Sequence, residues 1–136
     1  MNPESYSAIT TAHSQIGKKI SQAWQCHKDT IRKKLQLALS SIHISVDIWT
    51  SPNRLLLLAV IADFVDYIEE KHTKALLALC LVKGHSREMQ FATLLPVLQD
   101  YSIVQKLGAV VADNSSTNNT LCQAIEAYLL KEEHLE

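Results

Sequence analysis

Between Ile42 and Trp49 the chain alternates strictly, with Ile42, Ile44, Val46 and Ile48 on one parity and His43, Ser45, Asp47 and Trp49 on the other. A period of two sends these sets to opposite faces of a β-strand, so the segment predicts a strand with one apolar and one polar face. The polar set contains a carboxylate, and burying an unpaired charge is costly. Asp47 is therefore either a residue that caps the turn at Thr50–Asn53 or pairs with Arg54, or one that faces a positive ligand.

The segments after this turn extend the strand into a sheet. "RLLLLAVIADFVD", from Arg54, is an apolar run whose β-branched content favours a long strand buried on both faces near its middle, with a helix over Leu55–Ala62 left open. "YIEEKHT" reads as a reversal and "KALLALCLVKG" as a third strand, completing an antiparallel meander. Ser86 then fits an N-cap and Glu88 a first helical turn for "REMQFATLLPVLQDYS", which Pro96 should kink or shorten. "AVVAD" is a short buried strand ending in Asp113, "NSSTNN" a polar loop, and Thr120–Glu133 a last helix burying Leu121, Ile125 and Leu129 or Tyr128.

Upstream, Ile9, Ile16, Ile20, Trp24, Ile31 and Leu35 recur at spacings that form one stripe of a long helix or of two shorter ones. No Gly- or Pro-rich linker separates this segment from the first strand, so it is expected to pack onto the next domain. The predicted division is a basic helical segment over 1–40 and a core over 41–136, in the order β-β-β-α-β-α. The fold class is α/β with a mixed sheet, preceded by an N-terminal helical segment.

Charge is unevenly divided. The first forty residues carry Lys18, Lys19, Lys28, Arg32, Lys33 and Lys34 against Glu4 and Asp29, whereas the remainder is net acidic. Those six cations are candidate nucleic-acid contacts, or a solvated helix face. Cys26, Cys80 and Cys122 are odd in number and far apart, which fits neither a disulfide framework nor a CxxC zinc site. "LLLLAVIA" is too short to span a bilayer and the N-terminus lacks the plan of a signal peptide, so no membrane association is expected. An intracellular protein, nuclear or cytoplasmic, is the expectation.

The crossover from the third strand through a helix to the fourth should be right-handed and bring the fourth strand back parallel to the first. Placed beside each other, those strands would make Asp47 and Asp113 neighbours at the end of the sheet where α/β folds commonly bind ligands. Two adjacent carboxylates repel unless a cation neutralises them, and oxygen-only ligation suits Mg²⁺ or Mn²⁺. "DNSSTNN" is not a calcium loop, because it lacks the sixth-position Gly and has Ala124 where a bidentate Glu is required. His43, on the Asp47 parity, reads as a half-buried structural histidine.

"DIWTSPN" at Asp47–Asn53, "KGHSREM" at Lys83–Met89 and "VVADNSSTNNT" at Val110–Thr120, in that order, resemble the start of the catalytic core of hAT-superfamily transposases. The resemblance implies an RNase H-like fold and an Asp-Asp-Glu triad that uses divalent metal to cut and join DNA. Asp47 matches the first aspartate and Asp113 the second, as catalytic and metal-binding residues. Trp49, Thr50 and Ser51 match a family turn, and Asn114 and Asn118 its polar loop. Arg87 stands where the family usually has Gly.

The family's third acid comes after a fifth strand and a helical insertion, and the chain reaches Glu136 without them. The resemblance therefore implies an RNase H-like core truncated after four strands, not cutting DNA alone. Glu126, the one acid that tempts as a substitute, lies where the family does not place it. DNA is the implied partner of the parent enzyme, with homo-oligomers or other transposase-derived chains as further partners. A non-catalytic nucleic-acid- or protein-binding module is the alternative.

Overall fold

The computed structural model describes residues 3–112 and 116–135. Its elements are α1 (Pro3–Gln36), β1 (Ile42–Thr50), β2 (Leu56–Val65), β3 (His72–Leu81), α2 (Arg87–Asp100), a 3₁₀ turn (Val104–Lys106), β4 (Leu107–Ala112) and α3 (Ser116–Leu135). The α/β order anticipated from periodicity is the one found, with a single helix ahead of the sheet. Two compact units are present, Met1–Ile31 and Arg32–Glu136.

The first unit is helical throughout its described length. Within it Thr30 Oγ1 donates to the Cys26 carbonyl at 2.9 Å and Gln25 Nε2 to Asp29 Oδ1 at 3.2 Å, both one turn apart. Trp24 lies against His27 with ring centroids 5.9 Å apart. Ile16, Ile20 and Trp24 of the predicted stripe are exposed.

The second unit is built on a four-stranded sheet of order β3-β2-β1-β4. β1 and β2 pair antiparallel, with Val46 opposite Val60 and Asp47 opposite Ala59. β1 and β4 pair parallel, ending with Val46 opposite Ala112. β2 and β3 pair antiparallel with one irregularity: Val60 faces Ala78 and the next residue, Ile61, faces Leu76. Leu77 is thus the extra residue of a bulge, which bends and twists the strand locally.

Pairing fixes what each face carries. Ile42, Ile44, Val46, Leu58, Val60, Ala62 and Phe64 line one face and are buried together with Leu94 and Leu98 of α2 and Ile125 of α3. Leu35, near the end of α1, Leu77, Val82, Tyr101 and Ile103 are buried as well. The opposite face carries His43, Ser45, Asp47 and Trp49 from β1, Ile61 and Asp63 from β2, and Leu76, Leu79 and Leu81 from β3. The last three leucines are exposed, Leu79 at 57% and Leu81 at 63%. The bulge is the cause: it turns Leu77 into the core and shifts the parity, so that Leu79 and Leu81 leave the face that Ala75 and Leu77 share.

Polar contacts tie the ends of the elements to the sheet. Ser40 Oγ accepts from the Val65 amide at 3.0 Å and donates to the Ser41 carbonyl at 2.8 Å, while the Leu39 amide donates to the Val65 carbonyl. Gln36 Nε2 donates to the carbonyls of Tyr101 and Ser102. Ser86 is the N-cap of α2, its hydroxyl accepting from the Met89 amide at 3.2 Å, as its sequence context predicts. Pro96 does not end α2, which continues to Asp100. One missing donor is tolerated where Leu94 and Leu98 are fully buried on either side.

Candidate functional site

Asp47 lies near the C-terminal end of β1 on the uncovered face of the sheet and is exposed. Alternation dictates this position, because the parity that buries Ile44 and Val46 sends residue 47 outward. Among the described residues no hydrogen bond or ion pair engages its carboxylate. The turn after β1 is closed without it: Ser51 donates its amide to the Leu55 carbonyl at 2.8 Å, and its hydroxyl accepts from the Leu55 amide at 3.1 Å. Arg54 makes no ion pair with Asp47. Of the two readings left open by the sequence, the structure gives Asp47 no part in the turn.

The neighbouring strand has the expected place. β4 lies parallel beside β1, and its final residue, Ala112, pairs with Val46, the residue before Asp47. Asp113 and Asn114 lie outside the described residues. Asn118 lies in α3. Trp49 and Thr50 close β1, both exposed, and Trp49 faces Leu57 across the pair.

A carboxylate that none of the described residues engages, exposed at the end of a parallel strand pair, fits one oxygen ligand of a hard cation such as Mg²⁺ or Mn²⁺. Among the described residues no group of three or more His, Cys, Asp or Glu is placed to hold a metal ion. Glu126 is exposed on α3 and borders a small cleft beneath β4 with Gly108, Val110 and Cys122. Burial, the larger cause, and the charge of Glu126 together raise the Cys122 thiol above its ordinary value.

The six candidate nucleic-acid contacts do not share one environment. Lys18 and Lys19 are exposed on α1 and Lys28 is half-buried there. Arg32 donates to the Asp100 carbonyl at 3.0 Å and to its Oδ1 at 3.3 Å, and lies 5.9 Å from the Tyr101 ring centroid. Lys34 pairs with Asp66 at 3.1 Å. Lys33, between them, is exposed. Arg32 and Lys34 therefore serve the packing of the second unit, whereas Lys33 faces solvent.

Asp66 was not singled out by its sequence context. Its side chain is only 1% exposed, accepts from the Ile68 amide at 2.8 Å and meets Lys34. These contacts hold its carboxyl below the ordinary value of 3.8, with the Ile68 amide the largest cause. The signal available in the sequence was an acid that directly follows a buried strand and opens a tight reversal. His43 leans over Gly108 of β4: a Cβ at Gly108 would stand 2.6 Å from its Cε1 and 2.9 Å from Ser41 Cβ. Asp63, opposite His43, instead meets His72 Nε2 at 3.1 Å and Lys74 Nζ at 3.7 Å.

Among the described residues no helix is long and apolar enough to cross a membrane. A comparison with curated proteins gave no match. Residues 45–136, well over half of the chain, match the model of the ZBED1 RNase-like domain, a span that begins within β1 and includes both Asp47 and the region after β4. With its mixed four-stranded sheet in the order described, the chain belongs to the ZBED1 RNase-like domain family.

Proposed function

We propose that this chain derives from a hAT-type DNA transposase and carries the first two acidic residues of that enzyme's core, Asp47 and Asp113, as ligands of Mg²⁺ or Mn²⁺. The observation that carries the reading is the parallel pairing of β1 and β4 through Val46 and Ala112, with Asp47 next along β1, exposed and engaged by none of the described residues. The family match and the motifs around Asp47 and Val110–Thr120 support the ancestry. When bound, such ions polarise phosphate oxygens and activate the attacking oxygen in DNA strand cleavage and transfer. The chain's own part is to hold carboxylate oxygens on a rigid strand and keep them free of internal cations.

The family pattern needs a third carboxylate beyond a fifth strand, and we propose that residues 1–136 bind metal without cutting DNA by themselves. The test is incubation of the purified chain with supercoiled plasmid and Mg²⁺ or Mn²⁺, alongside calorimetric titration of Mn²⁺. Binding of Mn²⁺ that Asp47→Asn abolishes, without nicking, is the expected result. Nicking that disappears in the same variant would show that the chain is catalytically sufficient. Absence of Mn²⁺ binding would remove the metal-site reading.

A second reading, a non-catalytic binding module that kept the fold, is favoured by the sheet face on which Asp47 lies. Leu76, Leu79, Leu81 and Val111 are exposed there, an apolar surface of the kind that marks interaction sites. DNA or protein binding indifferent to Asp47→Asn and to divalent metal would favour it.

A further inference from the structure

At the end of the sheet where Asp47 lies, the turn after β1 and the loop before α2 enclose an open cleft of about 360 Å³. Its apolar lining comes from Leu55, Leu56, Leu81 and Val82, and its polar side chains are Arg54, Lys83 and His85. No carboxylate lines it. Arg54, Lys83 and His85 are exposed, and among the described residues none of the three side chains forms an ion pair or hydrogen bond. Three basic side chains around one cleft, engaged by none of the described residues, suit an anion.

Arg54 adds a separate observation. Its backbone has φ of 63°, the left-handed region that a branched or long side chain adopts at a cost and that Gly or Asn fills more easily. Its amide donates to the Ser51 carbonyl at 2.9 Å, which holds it in that conformation. Turn geometry alone favours another residue at this position, so what the Arg adds is a basic side chain at a residue that lines the cleft.

Placement relative to Asp47 indicates the ligand. Leu81 pairs with Leu57 and Leu57 with Trp49, so the cleft opens from the row of side chains next to that of Asp47. One two-residue step along a strand and two strand spacings across put Asp47 roughly 12 Å from Leu81. That span is on the scale of a few nucleotides. The apolar side chains in the lining suit sugar and base, and Arg and Lys suit the phosphates.

We infer that the Arg54–Lys83–His85 cleft binds the phosphodiester backbone of a DNA strand that passes over the exposed end of the sheet toward Asp47. The inference rests on the DNA-processing ancestry proposed above but does not depend on metal. Arg54 supplies a planar, bidentate phosphate donor and Lys83 a mobile point charge.

The test is fluorescence anisotropy of a short labelled DNA single strand with the purified chain, in EDTA, over a series of salt concentrations. Arg54→Gly with Lys83→Gln is expected to weaken binding and to reduce the slope of log K against log salt by roughly 1.4, about 0.7 for each lost phosphate contact. Arg54→Gly alone is expected to keep or raise the thermal midpoint while weakening binding, which separates lost contact from lost fold. EDTA removes divalent metal from every arm, so strand binding here is read independently of Mn²⁺ binding, and failure of the metal reading and failure of the cleft remain distinguishable. Unchanged affinity in the double variant overturns the proposal, as does absence of strand binding by the parent. Displacement of the strand by inorganic phosphate at low millimolar concentration also overturns it, since the cleft would then take a free anion.

Discussion

Tyr101, at the C-cap of α2, donates its phenolic hydroxyl to the carbonyl of Leu77 in a buried hydrogen bond of 2.8 Å. Leu77 is the extra residue of the β3 bulge, where the ladder leaves backbone groups unpaired. The side chain of one element thus completes the hydrogen bonding of another at the point where the sheet departs from regularity. Tyr101→Phe leaves that carbonyl buried and unsatisfied and should cost about 1–3 kcal/mol, read from urea unfolding. A loss within error of zero would show that water reaches the bulge.

Asp66 joins Lys34 to the β2–β3 reversal. Because the fold holds its carboxyl below 3.8, the native state favours the ionised form, and the contribution to stability is present above that ordinary value. It is lost as pH falls through the lowered native value. Asp66→Ala should therefore lower the thermal midpoint at neutral pH, and the gap to the parent should narrow on acidification below pH 3.8. A gap that stays constant with pH would assign the role of Asp66 to packing alone.

Gly108 admits the His43 ring. An alanine there would meet Cε1 of His43 at 2.6 Å and Ser41 Cβ at 2.9 Å. The ring can shift but the Ser41 backbone-bound atom cannot move as freely, so Gly108→Ala should destabilise by about 1–3 kcal/mol. His43→Ala should recover part of this in the double variant. Strictly additive effects in the four-member cycle would show that the two residues do not share space.

No described residue hydrogen-bonds or ion-pairs with the Asp47 carboxylate, and surface substitutions away from special features usually stay within about 0.5 kcal/mol. Asp47→Asn should leave the urea midpoint in place while removing Mn²⁺ binding. A large drop in stability without metal would point to a structural partner for the carboxylate.

Leu79 and Leu81 project from the uncovered sheet face. Replacing both with Lys should leave stability within about 0.5 kcal/mol and reduce any concentration-dependent association, measured by sedimentation velocity. Unfolding of this variant would mean that the face is covered within the molecule.

Where periodicity was strict, the sequence was a sufficient guide. The alternation from Ile42 to Trp49 became β1 with the anticipated faces, and the meander and the parallel fourth strand took their expected places around it. The β3 segment was legible as a strand but not in its detail. In "KALLALCL" an unbroken period of two would keep Leu77, Leu79 and Leu81 together, and nothing local announces the bulge that separates them. The carbonyl at the bulge is met by a tertiary hydrogen bond from Tyr101, which no window on β3 contains. The basic residues of α1 show the same limit: Arg32 and Lys34 look alike as a charge run, yet distant Asp100 and Asp66 occupy them. The cleft of Arg54, Lys83 and His85 was hidden for the complementary reason, since the sheet brings together two turns that are far apart in sequence.

The pairing of β1 with β4 also has a kinetic meaning. The β1–β2 and β2–β3 hairpins close short loops, whereas Val46 reaches Ala112 only after two further strands and α2 have been laid down. Non-local strand pairing carries the larger closure entropy and forms late. The strand end that presents Asp47 therefore acquires its parallel neighbour among the last events of folding, and a nascent chain that has made only the meander holds a formed β1 without an assembled site.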